Sequence, residues 1–253
     1  MYHTDSFLPS NWDAFTFEGY SELFSKTEFV KENANEWYPI WNWLFNSLIV
    51  ALGGTLLYLI IASLAAYAFV FLDFKYKDAI FGVLIATLVI PGIISTTPQL
   101  INMNMLNAYK SLWGLVLPGL GGVYGLYLIR QFLVSIPKDL IENARMDGAS
   151  NLRIFFSIIV PLSKPIIATV AVFCFIGVWN DYLWPIMVLP YAAPDEWPLY
   201  PIQAALTSIQ SIEGITTGQI MASLVVTSLP IFIVYIVAQK YIVQGFGSAG
   251  LKL

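Results

Sequence analysis

Groups that carry chemistry are scarce in this chain. It has one cysteine, Cys174, and one histidine, His3, among 253 residues. A lone thiol has no partner for a disulfide or a cysteine-rich metal site. A zinc centre or a Ser-His-Asp hydrolase needs more ligands and bases than these. No G-x-x-x-x-G-K-[ST] phosphate loop occurs, so the chain is not expected to hydrolyse a nucleotide itself. No basic stretch followed by an apolar one, the mark of a secretory leader, opens the sequence. Charge is scarce too, at 11% of residues against 58% hydrophobic, and it falls in clusters between long apolar runs.

Those runs have the length of membrane spans. A hydrocarbon core about 30 Å thick needs about 20 helical residues. Trp43 to Leu72, Ala79 to about Leu100, Leu112 to Ile129, Pro165 to Leu189 and Gln219 to Gln239 qualify, the fourth interrupted only by Asp181. A β-barrel would show short alternating segments instead. The fold class expected is therefore an all-α polytopic membrane protein. Nine of the twelve basic residues fall on one side of these spans if residues 1–40 lie outside: Lys75, Lys77, Arg130, Lys138, Arg145, Arg153, Lys164, Lys240 and Lys252. Basic residues favour the inner side, so this orientation is the expected one.

The division expected is an extracytoplasmic segment over residues 1–40 and a membrane domain over 41–253, with a cytoplasmic loop at 134–164. Trp37, Tyr38, Trp41 and Trp43 sit where an aromatic belt would anchor the first span. That span carries Gly53-Gly54, Ala62, Ser63, Ala65, Ala66 and Ala68, small residues that let helices approach closely. Pro91-Gly92 and Pro98 are expected to kink or break the second span, and Pro118-Gly119 with Gly121-Gly122 interrupts the third.

The loop at 134–164 is the most informative stretch. Pro137 suits a first helical turn, Ser135 is a candidate cap, and Asp139 and Glu142 suit the positive end of the helix. Gly148 can adopt the left-handed conformation that ends a helix. Ser150 can cap a second helix, carrying Ile154, Phe155 and Ile158, which Pro161 is expected to stop. The reading is helix, glycine turn, helix.

The spacing of Glu142-Asn143-Ala144, Gly148 and Ile158-Ile159-Val160-Pro161 resembles the cytoplasmic EAA loop of ABC importer permeases, with Asn143 for Ala and Val160 for Leu. Trp179-Asn180-Asp181-Tyr182-Leu183-Trp184-Pro185, the tail from Gln239 to Lys252, and Asn46-Ser47-Leu48 resemble the maltose-type carbohydrate subfamily. That resemblance implies a type I importer bundle. Five spans are expected here, since such permeases usually begin with a further span ahead of the outer segment. It implies a second homologous permease, two ATP-binding subunits that hold ATP-Mg, and an extracytoplasmic solute-binding protein. No cofactor on this chain and no nucleic acid are expected.

By the same resemblance the loop couples to the ATPase. Leu140, Ile141 and Ala144 supply an apolar face, Glu142, Arg145 and Asp147 the polar register, and Gly148 the turn. Asn180, Asp181 and Tyr182 are candidates to line a sugar pathway. Asp181 has the alternative of reaching the outer interface or pairing with the second permease. The setting implied is a bacterial or archaeal plasma membrane. Two rivals stand beside this reading: a gradient-driven secondary transporter, which would show repeated halves and ion ligands near the midplane, and an intramembrane enzyme.

Overall fold

A computed structural model describes Tyr20 and residues 40–189, 199–209 and 217–250, the last ten as backbone. The outer segment expected at 1–40, with Trp37 and Tyr38, falls almost wholly outside the described residues. Every regular element among the described residues is helical: α1 (Ile40–Phe71), α2 (Lys77–Thr87), α3 (Gly92–Met105), α4 (Leu112–Val116) running into a 3-10 turn (Leu117–Gly121), α5 (Val123–Leu133), α6 (Lys138–Met146), α7 (Asn151–Ile154) running through a π turn (Phe155–Ile159) into α8 (Val160–Leu162), α9 (Lys164–Asn180), α10 (Leu183–Val188), α11 (Ile202–Ile209) and α12 (Thr217–Gly250).

Two helices, Ile40–Phe71 and Ile220–Lys240, are long and apolar enough to cross a membrane unbroken. Three more spans arise if bent pairs are joined: α2 with α3 at 104°, α4 and its 3-10 turn with α5 at 43°, and Asn151–Leu162 with α9 at 80°. Five spans thus fit, with the break in the second at Pro91 and that in the third at Gly122, just past the turn that holds Pro118-Gly119. Pro91 begins α3 with a missing donor that costs nothing there, and Leu117–Gly121 tightens around Pro118.

Three expectations need correction. The fourth span does not run to Leu189. Its helix ends at Asn180, Asp181 is extended (φ −72°, ψ 121°), and α10 is a separate short helix. Seventeen residues rise about 25 Å, and an 80° bend at Ser163 separates α9 from α8. Ser135 does not cap α6. Pro137 holds that position without a side-chain bond, and the Ser135 hydroxyl donates back to Phe132 O at 2.7 Å. Pro161 does not stop the loop's second helix. Five π-helical residues precede it and the helix reaches Leu162. A proline removes the donor for the carbonyl four residues back, and a wider turn ahead of it accommodates that loss.

Helix α1 is the spine. It packs on α5, α9, α11 and the 3-10 turn. Gly54, Ala62, Ser63 and Ala66 are buried there, as the small-residue face required. Two cores lie along it. One gathers Trp43, Val50, Leu115, Trp179, Ile202 and Ala222; the other gathers Tyr58, Ala62, Ile129, Leu133, Ile141, Ile154 and Val170. Asn46 and Ser47 are buried in α1, and both serve the main chain ahead of α11. The Asn46 amide donates to Tyr200 O at 3.3 Å, and the Ser47 hydroxyl accepts from Ile202 N at 2.7 Å. Ile202 begins a helix, so its amide has no partner within that helix. Ser47→Ala should leave this amide unpaired in an apolar core, lowering stability by about 1–3 kcal/mol. Denaturant titration of the protein in lipid nanodiscs checks it.

Candidate functional site

The loop at 134–164 folds as an elbow. Helix α6 opens at Pro137, with Asp139 in its first turn and Arg145 in its last. Its end is a Schellman turn: Ala149 N donates to Ala144 O and Gly148 N to Arg145 O, both at 3.0 Å. Gly148 adopts φ +81°, the conformation that glycine takes at least cost. Space is not the constraint, since a Cβ there would meet nothing within 4 Å. The next helix starts at Ser150, whose hydroxyl accepts from Arg153 N at 3.3 Å.

The six residues expected to couple the elbow to a partner divide into two groups. Leu140, Glu142, Arg145, Asp147 and Gly148 are exposed. Ala144 is half-buried and packs with the fully buried Ile141 on the inner core. Arg145 turns back on its own chain. Its guanidinium donates to Phe71 O at 2.9 Å and approaches Asn151 Oδ1 at 3.5 Å, which also accepts from Tyr67 OH at 3.4 Å. Lys77 Nζ donates to Leu72 O at 3.0 Å. Two cations therefore serve the last carbonyls of α1, where the helix dipole is negative. The elbow is fastened to the end of the spine.

The outward side of the elbow is more apolar than the sequence reading held. Met146 is 80% exposed, and Leu152 and Phe156 are exposed too. Their spacing across the glycine turn carried no periodic signal, because the two helices present them jointly.

The stretch from Trp179 to Pro185 is mainly a set of fastenings. The Trp179 indole donates to Thr227 O at 3.1 Å, close to Pro230 in α12. The Trp184 indole donates to Gly114 O at 3.0 Å. Asp181 accepts from Trp184 N at 3.2 Å, so from the position before the N-cap Tyr182 it serves an amide of the first turn of α10. Asn180 and Tyr182 are exposed beside it. Helix α10 packs on α3 and α4. Helix α3 places Ser95, Gln99 and Asn102 on one face at helical spacing, and Gln99 Nε2 donates to Ser95 Oγ at 3.3 Å. The sequence reading missed this face because it ended the span at Leu100. The spacing of Ser95, Gln99 and Asn102 was the available signal.

Two cavities complete the picture. A groove of about 720 Å³ between the ends of α1 and α12 is lined by Trp41, Asn42, Phe45, Trp179, Leu229 and Pro230, among others. Its wall is too apolar for a polyhydroxyl solute, whose hydroxyls would lose hydrogen bonds to water. A second, of about 350 Å³, lies where the breaks of the second and third spans meet, between Leu88, Gly119, Gly122 and Tyr58. Among the described residues, no three or more His, Cys, Asp or Glu gather as a metal site would require.

A broken-helix bundle with a helical elbow is the architecture of an ABC importer's membrane domain. The crystal structure of a bacterial ABC transporter involved in the import of the acidic polysaccharide alginate shares it, with a TM-score of 0.69, 24% identity and 88% of each chain covered. So does the MetNI methionine ABC transporter, with a TM-score of 0.53, 13% identity, 81% of this chain and 94% of that one. The chain belongs to the family of binding-protein-dependent transport system inner membrane components, whose family model matches residues 58–248. It is 35% identical over 207 residues to the sn-glycerol-3-phosphate transport system permease protein UgpE of Yersinia enterocolitica, covering 80% of this chain and 71% of that protein. It is 29% identical over 213 residues to the arabinooligosaccharides transport system permease protein AraQ of Bacillus subtilis, covering 83% and 73%. The family settles the class as an inner membrane component of a binding-protein-dependent transport system.

Two outcomes follow from the geometry. Gly148→Val should impose about 1–2 kcal/mol of backbone strain on the elbow and lower solute moved per ATP hydrolysed, while Gly148→Asn is tolerated. Uptake and ATPase assays on the assembled complex check this. Asparagine caps a helix as well as aspartate does, so Asp181→Asn should retain native stability, whereas Asp181→Ala should lose about 0.5–2 kcal/mol. Denaturation in detergent separates the two.

Proposed function

We propose that this chain is the permease subunit of an ATP-driven importer of a carbohydrate or sugar derivative, delivered by an extracytoplasmic binding protein. The observation that carries the reading is the fastening of the elbow to α1 through Arg145 and the carbonyl of Phe71. A push on the elbow is thereby a push on the spine. Leu140, Met146, Leu152 and Phe156 form the apolar prow that seats in a cleft of an ATP-binding subunit, as a helix in a groove. Glu142 and Asp147 set its register. Two such subunits hold ATP-Mg and supply the free energy; a second permease completes the pathway. The complex resides in a bacterial or archaeal plasma membrane.

The cargo class rests on the relatives and on the chemistry of the exposed polar groups. Names of relatives include sn-glycerol-3-phosphate, a hydroxylated phosphate ester, and arabinooligosaccharides, which are polyhydroxylated. Asn180 and Tyr182, with Ser95, Gln99 and Asn102 on α3, offer amides and hydroxyls, which suit a solute recognised by neutral hydrogen bonds. Such groups are disfavoured against lipid. Asp181 acts in this pathway by holding α10.

Reconstitution with the co-purifying subunits in liposomes tests the reading. Uptake of a binding-protein-delivered sugar should require ATP and persist without an ion gradient. Uptake driven by a gradient alone, with ATP without effect, would overturn it.

A further inference from the structure

Tyr58 lies in the middle of α1 and is 7% exposed. Its hydroxyl makes two bonds, both to the break in the third span. It donates to Gly122 O at 2.9 Å and accepts from Gly125 N at 2.9 Å. Gly122 is the N-cap residue of α5 and has no side chain with which to cap it. Gly125 is the third residue of that helix, whose amide a serine or aspartate cap would normally serve. The phenol of α1 therefore acts as the cap of α5 from another helix.

The fit is built into the sequence on both sides. A Cβ at Gly125 would stand 2.5 Å from the Tyr58 hydroxyl and 2.7 Å from Val170 Cγ1, and one at Gly122 would stand 3.1 Å from the ring. Glycine at both positions is what lets the ring reach the break. The cavity of about 350 Å³ adjoins this point, and Leu88 at the break of the second span lines it too. Room to move and a single two-bond fastening occur together where two broken spans meet.

We propose that Tyr58 is a positioning residue for transport, a latch that holds the third span bent at Gly122 in this state and is exchanged when the spans rearrange. The proposal rests on the transport reading above and adds to it the point at which the bundle flexes. Water is scarce at this depth, so a freed Gly125 amide or Gly122 carbonyl has few substitutes. The phenol therefore biases the bend without locking it, as one side-chain bond pair between two arrangements can.

Tyr58→Phe keeps the ring and removes both bonds. In the assembled complex in liposomes, amide exchange across residues 123–126 should rise about tenfold while that of α9 is unchanged. The ratio of solute moved to ATP hydrolysed should fall at least about fivefold. Gly125→Ala, which displaces the hydroxyl from the other side, should lower the ratio in the same way. Native exchange, or raised exchange with a native transport ratio, overturns the latch. Should neither variant assemble, the unsubstituted complex decides. Cys174, the chain's sole cysteine, borders the cavity, and its maleimide labelling rate should differ at least about fivefold between the resting and the nucleotide-trapped complex. Equal rates overturn the proposal. Absence of ATP-dependent uptake in the unsubstituted complex would instead count against the transport reading, and the exchange measurement would then judge the cap alone.

Discussion

A main-chain amide or carbonyl inside hydrocarbon must find a partner within the protein, because water is not there to serve it. This chain breaks its helices repeatedly, so it creates many such groups. Helix α1 is unbroken and supplies much of the answer. Ser47 and Asn46 serve the start of α11, and Tyr58 serves the start of α5. The same need explains the tryptophans. Each indole has one donor on a large apolar body, and Trp179 and Trp184 spend theirs on carbonyls of α12 and α4.

These fastenings relate to function through where they leave the molecule stiff and where they leave it loose. The Phe71 end of α1 is tied to the elbow by Arg145 and to the following turn by Lys77. Under the proposed coupling, force at the elbow enters the spine directly. Further along, α5 packs on α1 through Leu126, Ile129 and Leu133, while its first turn is held by one phenol beside a cavity. A rigid input and a flexible middle suit an element that transmits motion rather than one that performs chemistry. The scarcity of histidine and cysteine accords with that division of labour.

Much of this was legible in the sequence where local rules act alone. The spans of Trp43–Leu72 and Gln219–Gln239 were read from length and apolarity, and the left-handed Gly148 from its place between two polar helices. The break at Pro91-Gly92 follows from proline's missing donor, and the break at Gly122 falls within the glycine pair Gly121-Gly122 that the sequence displays. Pairing at long range was not legible. Nothing near Tyr58 in the chain reveals that Gly122 and Gly125 await its hydroxyl 64 and 67 residues later. Asp181 looked like a charge inside a span because hydropathy does not register a cap. Its carboxylate holds the first turn of α10, and the apolar run continues past it in composition while the helix does not. The bond of Arg145 to Phe71 O was equally hidden, because the acceptor is 74 residues away.

Amide hydrogen exchange of the unsubstituted protein in lipid nanodiscs tests the central claim most directly. Ile202 and Gly125 have amides near helix starts, where no bond within the helix protects them, and each has a side-chain acceptor on α1. The account predicts that both exchange as slowly as amides in the interior of α9. Exchange at the rate of frayed helix ends would show that α1 does not serve these breaks, and the fold would then need another explanation.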